Sequence, residues 1–381
     1  MYISHIRLRN WKNFGDAATH LSSRTFLIGP NASGKSNMLD ALRFLRELAN
    51  DGLAPAVGRR GGISSLRCLS ARRYSDIDMD VKLADDSGTD MWQYCLVINQ
   101  DNRQRPIVKK ELVYNLKNPS VALVDRPGPD DRDDPERLTQ TDLEQVIANK
   151  EFREISDFFK TISYQHIVPQ VVRDPQGFTS MPVHDDPFGR DFLLRLWNTQ
   201  KNTRTARLKR IASALKVAVP KLQELDIVMD KQGTPHLVGR YEHWRAQGAF
   251  QNESQLSDGT LRLFSLLWTV FEGNGPLLLE EPELSLHSEV VRHLPQLFER
   301  LQKLRKNRRQ IILSTHSEEI LQDKGIGGEE IVRLVTGENG TTFQPPDENE
   351  NLLLQQGLSV AEVLLPRTAP PKARQLSLFA E

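Results

Sequence analysis

Apolar and polar side chains alternate from Tyr2 to Arg9, the period of a strand with one buried face. Asn10–Asp16 reads as a turn, and a further strand leads to the β-like run Thr25–Ile28. There the period changes: Met38, Leu39, Ala41, Leu42 and Leu45 fall on one helical face. Alternation returns over 77–125 (Ile77, Met79, Val81; Trp92, Tyr94, Leu96, Ile98; Leu112, Tyr114), with Asp85-Asp-Ser-Gly and Gln100-Asp-Asn-Arg as turns. This predicts an antiparallel β section. Residues 126–136 are polar and Pro-rich and predict a mobile loop. A helix is expected over 141–162, then a strand from Ser163 to Gln170. Leu208, Ile211, Ala212 and Leu215 mark the apolar face of another helix, as do Leu263, Leu266, Leu267 and Val270. Two apolar runs, from Pro276 and from Gln310, end in polar residues. Beyond 345 core patterning is lost, apart from a helix-like stretch Leu352–Leu365 and an extended Pro-rich linker, Pro366–Arg374.

The chain has 381 residues, enough for a large core and two lobes. Its 50 basic and 50 acidic residues cancel, so a nucleic-acid surface has to be local. Arg190, Arg195, Lys201, Arg204, Arg207, Lys209, Arg210 and Lys216 supply one candidate, 190–216, where Asp191 is the sole acid. Such a basic helix either tracks a DNA backbone or is a solvated face. Gly58-Arg-Arg-Gly-Gly62 is a basic turn, equally readable as surface loop or functional element. Two cysteines, Cys68 and Cys95, make no disulfide framework and fit a reducing compartment. No apolar run approaches the roughly 18 residues of a membrane helix, and the N-terminus lacks a signal-peptide core. A cytoplasmic protein without membrane partners is expected.

The change of period at Ile28 coincides with chemistry. Gly29-Pro30-Asn31-Ala32-Ser33-Gly34-Lys35-Ser36, followed by Asn37, has the spacing G-x-x-x-x-G-K-S. Gly29 and Gly34 let the backbone wrap a phosphate with its N–H groups inward. Lys35 supplies charge to the β- and γ-phosphates, and the Ser36 hydroxyl ligates Mg²⁺. A turn that bound nothing would not need Lys and Ser there. The expected ligand is ATP with Mg²⁺.

The run Pro276-Leu-Leu-Leu-Glu280-Glu281-Pro-Glu283 places carboxylates at a strand end, where a parallel sheet puts Mg²⁺ chemistry. Glu280 would support Mg²⁺ and Glu281 would polarise the attacking water. In Gln310-Ile-Ile-Leu-Ser-Thr-His316-Ser, His316 ends another strand, within reach of the γ-phosphate. Gln170 is either an ordinary strand terminus or a group reaching Mg²⁺ and water, and Gln165 competes for that role. Ser257 and Gly259, in Gln255-Leu-Ser-Asp-Gly-Thr-Leu-Arg262, form a second anion site at a helix start. One ATP does not need two such sites from one chain. A head-to-tail homodimer does, each P-loop being capped by the partner's serine helix.

This order of motifs resembles the ABC-class ATPases, closest to the RecF/SMC/OLD-type branch. Gly29–Ser36, Leu256-Ser-Asp-Gly-Thr, Glu280-Glu-Pro-Glu with Leu286-His287, and Ser314-Thr-His-Ser carry the resemblance over about residues 1–336; Gly61-Gly62 and Ile167-Val-Pro-Gln170 are also similar. It implies an α/β fold: an ABC-type ATPase head with a P-loop mixed sheet, an antiparallel β section and a helical insertion. It also implies ATP hydrolysis, with Lys35, Glu281 and His316 catalytic. Three departures matter. Glu280 stands where many relatives have aspartate, the transporter signature L-S-G-G-Q is absent, and the insertion before Ser257 has no sustained heptads. No acidic D-x-D cluster follows His316, so a built-in Toprim nuclease is not expected.

Four segments are expected: 1–76 and 251–345 as the two parts of the ATPase head, 77–250 as the insertion, and 346–381 as a helix and tail. The tail presents Gln375-Leu376-Ser377-Leu378-Phe379. It resembles the pentapeptide with which bacterial replication and repair proteins dock on the β sliding clamp; otherwise it folds back on its own domain. Two roles follow: a DNA-maintenance ATPase on DNA and clamp, or a regulatory subunit of an anti-phage system that restrains a separate nuclease or toxin.

Overall fold

A computed structural model describes residues 1–70, 74–118, 121–174, 186–244, 248–304 and 308–368. Its centre is a run of parallel strands that bury both faces. Strand β3 (Arg24–Ile28) lies between β13 (Ile311–Ser314) and β14 (Ile331–Gly337), and β13 continues to β12 (Leu277–Glu280) and β8 (Ser163–Gln165), all parallel. The period of two explains why these strands read as continuous apolar runs. Leu27, Leu278 and Ile312 enter one core, with the P-loop helix Lys35–Asp51. Phe26, Ile28, Leu277, Leu279, Ile311 and Leu313 enter the other, under the helix Asp258–Phe271. Every residue of that helix from Leu261 to Phe271 is buried, Arg262, Ser265 and Thr269 included, with Ser265 and Thr269 bonded back to carbonyls of their own helix.

The antiparallel half belongs to the same sheet. Among the described residues, strands β1 (Tyr2–Trp11), β2 (Phe14–His20), β4 (Ile77–Ala84), β5 (Asp90–Gln100), β6 (Pro106–Asn115), β7 (Ala122–Arg126) and β15 (Gly340–Gln344) complete a twelve-stranded order, β7-β6-β5-β4-β1-β2-β15-β14-β3-β13-β12-β8. The register Leu8↔Met79 welds the amino-terminal strand to the expected β section, and β15 joins the two halves. A second sheet, β9 (Leu222–Met229), β10 (Pro235–Tyr241) and β11 (Ala249–Asn252), stands beside the helices Phe192–Asn198 and Lys201–Leu215. It was not foreseen, because few of its side chains are apolar and buried; Leu222, Ile227 and Leu237 are the exceptions.

Several expectations are corrected. The strand expected to reach Gln170 leaves the sheet after Gln165, and Pro169–Arg173 is a short helix with Pro169 in its first turn, where no N–H is needed. The helix expected over 141–162 is confined to Arg153–Lys160 after a 3₁₀ turn, Ala148–Glu151. Residues 126–136 are not an open loop. Pro129–Asp133 and Pro135–Thr139 form short helices around buried Arg126. Its guanidinium donates to Asp131 (2.7 Å), Asp142 (2.8 Å) and the Gln140 and Arg137 carbonyls (3.0 Å each). The terminal helix divides into Glu348–Gln355 and Val360–Val363 around Gly357, with Ser359 capping the second. In the basic turn, Arg60 is not a free surface charge but is bound inward to Asp40 and Glu47.

Candidate nucleotide site

The loop after β3 takes a path only glycine tolerates at its two ends. Gly29 has φ 154° and Gly34 φ 103°. A Cβ on Gly29 would meet the Leu334 carbonyl at 2.7 Å, and one on Gly34 the Asn13 amide at 2.0 Å. Asn13 braces the loop, donating to the Ser33 carbonyl (2.8 Å) and Thr341 Oγ1 (2.7 Å) while accepting from Asn37 (2.7 Å). Neither Asn13 nor Thr341 was singled out from sequence, because both come from outside the motif.

Lys35 Nζ donates to the Gly29 and Pro30 carbonyls, each at 3.1 Å. Burial pushes its ammonium down to about 8, against the charges of Glu281, Glu280 and Glu283. A desolvated cation at the start of a helix favours an anion. The space in front of it, about 410 Å³, is lined by Asn31, Ala32, Lys35 and Ser36 on one side and by Glu281, Ser314 and His316 on the other.

Strands β12 and β13 deliver that second side, with Glu280 and Ser314 in register. Ser36 Oγ donates to Glu280 Oε1, and the Tyr164 hydroxyl donates to Glu280 Oε2. Glu281 turns the chain at φ 43°, rare for a residue with a Cβ. Its N–H donates to the Ser314 carbonyl (3.1 Å), and its own carbonyl accepts from Arg262 (2.8 Å). His316 Nε2 lies 3.7 Å from Glu281 Oε1. Burial, then Lys35, push the imidazole below its ordinary value of 6.5, so it is neutral at pH 7. Glu283 Oε1 accepts from Thr315 Oγ1 (2.6 Å) and the His316 N–H (3.2 Å), fixing the strand end that carries the histidine.

The structure thus brings together Lys35, Ser36, Glu280, Glu281 and His316. It does not bring Gln170 to them. Gln170 Nε2 donates to Asp258 (2.7 Å), and Arg173 of the same short helix also pairs with Asp258. Gln165 is buried beside a small cavity that Arg262 and Glu280 also line. The group that β8 contributes to Glu280 is Tyr164, which sequence reasoning passed over; alternation places it on the face opposite Gln165. Arg262 and Glu283 also act here, Arg262 on the Glu281 carbonyl and Glu283 on Thr315, roles that no local spacing signals. Ser257 caps its own helix through Thr260 N–H (3.2 Å), and neither it nor Gly259 lines the Lys35 cavity. A Cβ on Gly259 would meet the Ser285 carbonyl at 2.8 Å. Residues 375–379 lie outside the described residues.

The donor set suits Mg²⁺. Among the described residues no group of three or more His, Cys, Asp or Glu could hold a metal unaided. A hydroxyl and a carboxylate already in contact match a cation that takes its remaining ligands from phosphate and water.

The family described as "AAA domain, putative AbiEii toxin, Type IV TA system" matches over residues 24–322, a span containing the whole P-loop, the serine helix and both strand ends. The chain belongs to this AAA family. The DNA replication and repair protein RecF of Picosynechococcus sp. (strain PCC 7002) is 32% identical over 92 residues, 23% of this chain. That match spans 24% of RecF. Among solved structures, an SmcHead bound to the C-winged helix domain of ScpA superposes with a TM-score of 0.54 at 13% identity, covering 93% of this chain and all of that one. The Smc head domain with an extended coiled coil, bound to the C-terminal domain of ScpA, from Pyrococcus furiosus gives 0.51 at 12% identity, covering 93% and 98%. This AAA-family member therefore has the mixed α/β fold of the SMC head domains. Among the described residues no helix is long and apolar enough to cross a membrane.

Proposed function

We propose that this chain binds ATP with Mg²⁺, hydrolyses it to ADP and phosphate, and pairs head to tail with a second copy when ATP is bound. The observation that carries the reading is the meeting of two distant motifs: Ser36 of the P-loop bonded to Glu280 of β12, with Glu281 and His316 facing Lys35 across one cavity. Gly29 to Gly34 and Lys35 hold the phosphates. Mg²⁺, held by Ser36 and Glu280, would offset charge on the β- and γ-phosphates. Glu281 orients the attacking water and accepts its proton. Neutral His316 donates a hydrogen bond to the γ-phosphate. Ser257 and Gly259 complete the partner's site, consistent with their place outside the cavity of their own chain.

Phosphate release by the wild-type protein, set against Glu281→Gln, tests this. The variant retains nucleotide binding and loses turnover by at least about 100-fold, the usual scale of a general base. Unchanged hydrolysis in Glu281→Gln removes Glu281 from the role, and a wild-type chain that releases no phosphate removes the enzyme.

For the biological role, the favoured reading is DNA maintenance. The RecF match supports it, as do the exposed Lys209 and Arg210 on the helix Lys201–Leu215, and the clamp-like residues Gln375, Leu376, Ser377, Leu378 and Phe379. A second reading takes its support from the family's own description, which names a toxin system: an ATPase subunit controlling a separate nuclease or toxin. A titration of β sliding clamp against the full chain and a version lacking 375–379 separates them. Binding lost with those residues supports the first. No binding by either turns the search to a defence partner.

A further inference from the structure

Glutamate carries one more methylene and one more torsion than aspartate, so a carboxylate fixed only at its backbone samples several rotamers. Glu280 is fixed at its tip as well. Oε1 accepts from Ser36 and Oε2 from Tyr164, while the Glu280 main-chain carbonyl lies 3.2 Å from His166 Nδ1. The two hydroxyls differ in what else they do. Ser36 is itself a ligand candidate for Mg²⁺, and its oxygen is then shared. Tyr164 has no such second duty.

The phenol is also well anchored. β8 pairs with β12 so that Tyr164 stands opposite Leu278, and its side chain runs along the sheet to Glu280, two positions on. It packs against the core under the P-loop helix, with the Arg43 guanidinium 5.5 Å from its ring centroid. A phenol is protonated at neutral pH, so the hydroxyl is the donor of this bond and the Glu280 carboxylate the acceptor.

We propose that Tyr164 is a positioning residue that presents the Glu280 carboxylate to the divalent cation of the nucleotide site and thereby sets the affinity for that cation. This rests on the ATP–Mg²⁺ reading above.

The test uses the full chain and a fluorescent ATP analogue, titrated in EDTA and again across a range of Mg²⁺ concentrations. Tyr164→Phe removes one oxygen and leaves the ring in place. Binding in EDTA stays at the wild-type level, while the Mg²⁺ concentration that half-saturates the metal-dependent gain rises by about 10-fold, the scale on which residues behind a ligand act on metal affinity. In a Glu280→Asp background, whose shorter carboxylate ends farther from the phenol, Tyr164→Phe adds little further shift. An unchanged Mg²⁺ requirement overturns the proposal. So does an equal loss in EDTA, which marks a packing role, and so does an equal shift in both backgrounds, which shows that Tyr164 does not act through Glu280. Absence of nucleotide binding by the wild-type chain overturns the ATP reading itself, and is told apart because no variant is involved.

Discussion

Two adjacent glutamates end β12, and a single backbone torsion separates their uses. Glu280 continues the strand and directs its carboxylate to Ser36 and Tyr164; Glu281, at φ 43°, turns toward His316. Residues of this kind were legible in the sequence because their chemistry is tied to local spacing: glycines at a turn, acids after an apolar run. Tyr164, Asn13 and Arg262 were not, since their roles arise from strand register and from contacts between segments far apart in the chain. Another such contact lies outside the site. His236 Nδ1 bonds Glu253 Oε1 (2.7 Å), which ties β10 to the segment leading into the serine helix. The hydrogen bond to Glu253 raises the imidazole pKa above its ordinary 6.5. A raised histidine contributes stability that is fully present below the unfolded value and is lost as pH rises through the folded one. The gap in urea midpoint between wild type and His236→Gln is therefore larger at pH 6 than at pH 8.5. An equal gap at both pH values would remove His236 as the source.

At the scale of elements, the apolar strands and the P-loop and serine helices matched their patterns because burial on both faces leaves little freedom in where they sit. The misread stretches are those in which polar groups turn inward. Residues 126–136 have the composition of a solvated loop, yet Arg126 and Asp131 are buried together, and Arg126 also reaches Glu111, a carboxylate that burial pushes up to about 7. Composition alone cannot distinguish a polar segment facing water from one folded around a guanidinium that meets several acceptors at once. The early end of β8 has a similar cause. Val168 and Pro169 look apolar enough for a strand, but Pro169 has no N–H for the ladder and its fixed φ suits the first turn of a helix. That turn carries Gln170 to Asp258, placing it against the serine helix.

Across the whole molecule, one sheet spans the amino-terminal strand, the antiparallel section and the parallel strands of the nucleotide site. The antiparallel section was foreseen from alternation; its fusion to β1 was not, because strand order depends on partners distant in sequence. The basic helix Lys201–Leu215 buries Leu208, Ile211, Ala212 and Leu215, the positions its periodicity marked, which leaves Lys209 and Arg210 exposed. Ser257 caps the serine helix away from the chain's own Lys35 cavity, so in the proposed arrangement each site is finished by the other copy. The most direct measurement is the solution mass of Glu281→Gln by light scattering, with and without ATP and Mg²⁺. The expected mass is the 43.4 kDa of one chain without nucleotide and twice that with it, with no doubling once Ser257→Arg is added. A mass that stays at one chain while ATP is demonstrably bound would contradict the shared site.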